Sequence, residues 1–511
     1  MVWLLPLLSA AYAVWAGRDA NWDLLNYHFY NVFAWLNGRD DLALGQLQSW
    51  FNPLLHLPLY LGMQYLDPRL YAALLGATQG LNLILIWSIA NLAWPAGPTL
   101  RRHGPVLVAL TAGCGAAFLT QLGTSFGDTL LTLPLLGALR LILSVSDGES
   151  TRRSALFIFL AGLLGGIACG LKPIAGIYAL ALAAALASLP GTLGARSRRL
   201  SILAAGGLIG CALVAGWWCW HVWQLTGNPL FPYYNDIFQS PWYWNERYVF
   251  GFFLPKTWRE AILYPWLWLV NPARVSEMSF INLAIPGLMT LLGVAGIARF
   301  LGLRPQGQTT NDTTTRALFV FWLAGYILWL TQSSVYRFAV ILEMLAPILI
   351  IALLARWVPP DLLRVRILLV LIPLMLANRP ANFGRFEYAD RYLQLTPIQV
   401  PAGTMIAIAG WAPISYMVPA FPEGTPFVRI QSNMHGFADR PNGLDTEAHR
   451  RVKAHHGPVQ LLLAEPEWGI AQPMLDHFGY SVDRAACRAV DGVLGGGGGI
   501  DGMQLCPMVV R

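Results

Sequence analysis

Ser333-Ser-Val-Tyr336-Arg337-Phe-Ala-Val-Ile-Leu-Glu343-Met-Leu-Ala-Pro-Ile-Leu-Ile-Ile-Ala-Leu-Leu-Ala355-Arg356 decides the class of this chain. Between Arg337 and Arg356 the only charge is Glu343. A run of about 20 apolar residues is long enough to cross a bilayer as a helix, which satisfies its own backbone hydrogen bonds. Similar runs lie near 2–17, 70–93, 104–122, 125–143, 155–171, 173–190, 201–223, 281–301, 317–334, 338–356 and 367–378. The pattern predicts an all-α polytopic membrane bundle of about 11 spans. Composition agrees: 56% of the 511 residues are hydrophobic and 12% charged, about half the usual charged share. Segment 54–66 is apolar but short and broken by proline, so it is expected along the interface or as a re-entrant piece.

Basic residues set the orientation. Arg101 and Arg102, Arg152 and Arg153, Arg196, Arg198 and Arg199, Arg304 and Arg316, and Arg356, Arg364 and Arg366 fall in alternate loops, which are read as cytoplasmic. The intervening short loops 121–127 and 333–336 are nearly free of charge. The net charge of +7 therefore carries topology and implies no nucleic-acid partner. The first span lacks a basic leader and is followed by Gly17-Arg18-Asp19, so it is not expected to be a cleaved signal peptide. The expected setting is the inner membrane, multi-pass, with the long loops 18–69 and 224–280 and the C-terminal segment on the periplasmic side.

Residues 1–378 form the predicted transmembrane domain, and 379–511 a small soluble α/β domain. In the latter, Met405-Ile-Ala-Ile-Ala, Phe427-Val-Arg-Ile and Val459-Gln-Leu-Leu-Leu-Ala read as buried strands, with helices at Asp445–His455 and Pro473–Phe478. Cys114, Cys169, Cys211 and Cys219 lie in apolar spans and read as small hydrophobes. Cys487 and Cys506 flank the Gly495–Gly499 run in a segment placed in an oxidising compartment, and a disulfide is expected between them.

Charged residues at span ends are where chemistry is sought. Asp19 and Asp23 directly follow the first span, and carboxylates there can take a proton from a hydroxyl or hold a metal near a phosphate; they equally suit a helix end. Asp128 follows Gly123-Thr-Ser-Phe-Gly127 and reads both as a functional carboxylate and as a helix cap. Lys172, one of three lysines, lies in Cys169-Gly-Leu-Lys172-Pro173 between two spans. It could bind a lipid phosphate or snorkel to the headgroups. Arg337 stands at a span end, and Glu343, deeper, is expected to make a hydrogen bond between helices. The aromatic loops supply Tyr27, His28 and Arg247 as candidate substrate-binding residues. His28, His56 and His221 lack ligand spacing, so no metal site is predicted; no cofactor is expected beyond a divalent cation at Asp23, which the residues leave open.

Asp23-Leu-Leu-Asn-Tyr27-His28 after the first span, Phe51-Asn-Pro-Leu-Leu55 in the same loop, and Gly227-Asn-Pro-Leu-Phe-Pro232 after a middle span resemble the GT-C superfamily of membrane glycosyltransferases over roughly residues 1–378. Members such as protein O-mannosyltransferases and aminoarabinose transferases take sugars from polyprenyl-phosphate carriers. The resemblance implies a catalytic Asp at the start of the first outside loop, a second acid matching Asp128, and a carrier-phosphate contact matching Arg337. Protein mannosyltransferases carry an Asp-Glu pair in that loop. Here the second acid is four residues away, which leaves Asp19 or Asp23 open as the base.

The reading is thus an inverting transferase. It moves a sugar from a polyprenyl-phosphate carrier, in membrane lipid, to a hydroxyl of a glycan, lipid or protein acceptor. Asp23 or Asp19 is the base, and Lys172 and Arg337 are the phosphate ligands, expected to converge without an acidic partner. The absence of a P-loop, a dinucleotide loop or a cytoplasmic domain favours a lipid-linked donor. The alternatives are a secondary transporter or lipid flippase, whose polar sites would lie nearer the midplane, and a non-catalytic scaffold that tolerates substitution of Asp19, Asp23 and Lys172.

Overall fold

The computed structural model describes residues 2–95, 101–145, 152–305, 307, 312–436 and 440–510. It is mostly helical with a small sheet near the C-terminus. Its described residues divide into two compact units. The first draws on Met1–Ala16, Ala72–Gly216 and Phe250–Phe383, the second on Gly17–Tyr71, Trp217–Val249 and Gly384–Arg511. The expected C-terminal domain therefore shares its unit with the whole of the first long loop and part of the second.

Five helices among the described residues are long and apolar enough to cross a membrane: Pro68–Ala93, Arg152–Leu171, Leu193–Thr226, Asp312–Gln332 and the Tyr336–Trp357 segment. Val2–Ala16, Gly104–Gly113, Pro173–Ala187 and Ala284–Phe300 are apolar but shorter. The helices described do not confirm the predicted count of about 11 full spans, and one shortened run has a clear cause. The run 104–122 is two helices, Gly104–Gly113 and Ala116–Gln121. Glu343 occupies the break: its carboxylate accepts the Ala117 amide at 3.0 Å and stands where any side chain on Gly115 would be.

Within the first unit, Arg152–Leu171 meets Leu193–Thr226 through glycines. A Cβ on Gly162, Gly166, Gly206 or Gly210 would lie 2.1, 2.0, 2.2 and 2.2 Å from a facing backbone carbonyl oxygen. Small residues four apart on both helices let the backbones touch. Gly166→Leu is expected to destabilise the protein by at least about 1–3 kcal/mol through overpacking. Gly216→Ala, in open space, should be neutral; equal thermal midpoints for the two variants in detergent would refute this packing.

The second unit holds two sheets. Strand β1 (Arg18–Asp19) pairs antiparallel with β2 (Arg385–Phe386). The larger sheet contains β3 (Met405–Ile408), β4 (Phe427–Arg429), β5 (Val459–Ala464), β6 (Tyr480–Val482), β7 (Arg488–Val490) and β8 (Met503–Val510), in the order β4-β3-β5-β8-β6, with β7 also on β8. The strands β4, β3 and β5 are parallel and β8 is antiparallel to β5. Parallel strands are covered on both faces, and β3 and β4 are buried throughout. Leu42 bridges Val428 in parallel beyond β4, and Leu42, Ala43, Leu47, Val222 and Phe231 join the core of this sheet. Cys487 and Cys506 form a disulfide.

The helix Gly443–Lys453 starts in a capping box formed by Asn442 and Asp445. Just before it, His435 is buried, with Nδ1 2.8 Å from Ser432 Oγ. Burial, and then the neighbouring Arg429, push its imidazole down from 6.5 to about 3. The unfolded chain thus takes up a proton on this side chain below about 6.5 and the folded one does not, so its contribution is full above that pH and lost as pH falls toward 3. Asp445, pushed up by burial to about 6 from 3.8, acts oppositely between those values. His435→Gln should therefore lessen the stability lost between pH 7 and pH 5 by about 2 kcal/mol. Thermal midpoints of both proteins at the two pH values measure this, and parallel shifts would refute it.

Candidate functional site

In the first unit, Asp128, Lys172 and Arg337 meet. Asp128 opens the helix Asp128–Ile142, directly after Gly127 in the left-handed region at φ +80°. It is the first helical residue rather than the cap, a position that favours negative charge. The loop that delivers it is held by buried amides. Gln79 Nε2 donates to Gln121 O at 3.0 Å and to Thr129 Oγ1 at 2.9 Å, its Oε1 accepts the Gly123 amide at 2.7 Å, and Asn82 Nδ2 donates to Thr129 O at 2.8 Å. Gln79 and Asn82 were passed over in the sequence. Their signal was two polar side chains three apart on one face of an apolar helix.

Lys172 follows the helix Arg152–Leu171, where Pro173 breaks the chain into a 3-10 turn. Its Nζ lies 2.5 Å from Asp128 Oδ1 and 3.2 Å from Phe126 O, with the side chain 11% exposed. Lys172 is therefore directed inward to a carboxylate and does not snorkel. Arg337 lies in the 3-10 turn Tyr336–Ala339. Its Nη1 is 3.9 Å from Asp128 Oδ2, and its guanidinium stacks over Phe126 and Phe338 at 4.6 and 4.9 Å. Lys172 also lies over Phe338, at 5.0 Å. The two cations converge, as expected, but the expected lack of an acid does not hold. Asp128 supplies one, so two cations share one carboxylate and the convergence by itself does not demand an anionic ligand. A small cavity lined by Arg337, Thr120, Ser276, Glu277 and Tyr336 opens beside the cluster. Glu343, deeper in its helix, accepts from the Tyr336 hydroxyl and the Ala117 amide; it joins helices, in line with the structural reading.

In the second unit, Asp19 lies in β1, nearly fully buried. Its amide donates to Tyr392 Oη at 3.0 Å. Both carboxylate oxygens accept from Asn21 Nδ2 at 2.8 Å, and Oδ1 also accepts the Asn21 amide at 3.1 Å. Burial, and then Asp19, raise the Tyr392 phenol well above its usual range. Asn21 Oδ1 in turn accepts the Leu24 amide at 2.9 Å. Asp19 thus orders the turn that starts the next helical segment. Asp23 precedes the π-helical turn Leu24–His28 and makes no capping bond with its side chain. Such turns are frequent at functional sites.

Tyr27 and His28 are 3% and 1% exposed. The Tyr27 ring meets Phe51 edge-on at 5.6 Å, and His28 stacks on His56 at 3.9 Å. Their rings are engaged in packing. Arg247 is exposed, over the Tyr234 ring at 5.0 Å. Among the described residues no three His, Cys, Asp or Glu side chains are grouped to hold a metal ion. Comparison of the chain with protein-family profiles, with curated proteins and with solved structures found no match.

Proposed function

We propose that the chain is a membrane glycosyltransferase that moves a sugar from a polyprenyl-phosphate carrier to an acceptor hydroxyl. The observation that carries this reading is the Asp128–Lys172–Arg337 cluster: two cations on one carboxylate at the ends of apolar helices, held by a buried amide scaffold. The surplus positive charge suits a phosphate leaving group, and its aromatic surroundings strengthen the attraction. Arg337 is the phosphate contact, while Lys172 balances and orients Asp128. The base is assigned to Asp23, which opens the Asp23-Leu-Leu-Asn-Tyr27-His28 array that carries the resemblance, while the carboxylate of Asp19 accepts from Asn21.

The acceptor hydroxyl gives its proton to a carboxylate base and its oxygen attacks the anomeric carbon in line. The bond from that carbon to the phosphate oxygen breaks, and the electron pair leaves with the polyprenyl phosphate. Incubating purified protein with a panel of polyprenyl-phosphate sugars and scoring release of the lipid phosphate tests the reading. Release from one donor, lost in Arg337→Gln, is expected; no release from any donor refutes it.

A further inference from the structure

The chain leaves β3 for β4 on one side, then passes back to β5 on the other. In open α/β sheets, ligands bind at the carboxyl edge where successive connections diverge in this way. The residues that follow the three strands meet there: Trp411 after β3, Gln431 after β4 and Glu467 after β5. The Trp411 amide donates to Glu467 Oε1 at 2.8 Å and its carbonyl accepts from Gln46 Nε2 at 2.9 Å. On either side, the Gly410 amide donates to Gln431 Oε1 at 2.8 Å. Arg429 donates to the Gly410 and Ala412 carbonyls at 2.7 and 3.2 Å. Arg429 and Gln46 are fully buried. Gly410 is required twice over, by φ +92° and because a Cβ there would lie 2.1 Å from Glu467 Oε2.

Within this fixed frame the Trp411 side chain is 49% exposed. Loop tips are ordinarily mobile, and an exposed indole gives folding little in return for being ordered. Buried polar groups that lock a loop carrying an exposed aromatic are the arrangement of a preorganised binding surface. We propose that Trp411 is a platform for a sugar ring. The apolar face of a pyranose stacks on the indole, and the half-buried Glu467 beside it accepts from ring hydroxyls. The carboxylate disfavours anionic lipid headgroups as the occupant. The choice of a saccharide rests on the transferase reading; the rigid platform does not.

The full-length protein in nanodiscs is titrated with mannobiose, cellobiose, chitobiose and lactose, followed by saturation-transfer NMR without any lipid-linked donor. At least one disaccharide should bind, Trp411→Ala should weaken it 10-fold or more, and Trp411→Phe should keep most of it. Thermal midpoints should stay unchanged, since only the backbone of Trp411 enters the hydrogen-bond frame. No binding to the wild-type protein, or equal binding to Trp411→Ala, overturns the proposal. So does quenching, by headgroup spin-labelled lipid, of a fluorophore on Trp411→Cys above the background of the unsubstituted protein, which would make Trp411 a membrane anchor. Because no turnover is measured, a failed transfer assay and a failed binding assay remain distinguishable.

Discussion

Asp128→Ala is expected to lower stability by about 3–5 kcal/mol, the usual consequence of removing one partner from a buried ion pair. Its side chain is 5% exposed and faces Lys172, 11% exposed, at 2.5 Å. Removing the carboxylate leaves Lys172 and Arg337 near each other with Asp128 no longer between them. Replacing both members of the close pair, as Asp128→Leu with Lys172→Met, should recover much of the loss, because a matched apolar pair has no charge to desolvate. Thermal unfolding in detergent measures both. A single variant as stable as the wild type, or a double variant no better than the single, would show that the pair does not hold the cluster together. Lipid-phosphate release by the folded double variant then separates scaffold from chemistry. Near-normal release would confine Lys172 and Asp128 to a structural part.

Asp23→Asn is expected to lower turnover by about 100-fold or more while the protein stays folded, since the change removes the proposed general base and keeps the side chain's shape. No capping bond is lost with it. Asp19→Asn should do the reverse. It weakens the bonds from Asn21 that start the following turn, at about 1–3 kcal/mol for a disrupted charged hydrogen bond, and leaves turnover of the folded fraction near normal. The paired measurement is turnover per folded molecule, with the folded fraction taken from size-exclusion chromatography. Full turnover in Asp23→Asn with collapse in Asp19→Asn would reverse the roles.

The apolar class of the chain and the strands at 405–408, 427–429 and 459–464 were legible because they depend on local pattern: runs of apolar residues for helices, short buried runs for the sheet. The Glu343 interruption was not, because the residue that breaks the helix at Gly115 lies more than 200 positions away. For the same reason the charges at 128, 172 and 337 could be picked out by their cost in apolar sequence, whereas the sharing of Asp128 by both cations depends on tertiary placement. The packing of Tyr27 and His28 was not legible, because sequence shows that an aromatic lies in a loop and not what its ring meets. The support from Gln79 and Asn82 was missed because amides carry no charge to draw attention to them.

The discontinuous make-up of the second unit has a consequence for biosynthesis. Leu42, Ala43 and Leu47 belong to the same core as β3, β4 and β5, yet a ribosome makes them some 360 residues before β3. At about 5–20 residues per second, that core waits roughly 20–70 seconds for its partner. Until then the segment 17–71 has no sheet to join, and its apolar residues must be shielded by lipid or a chaperone. Completion of the tail is therefore the step that seals the unit, and a nascent chain stalled before residue 405 would present an unfinished core to quality-control proteases.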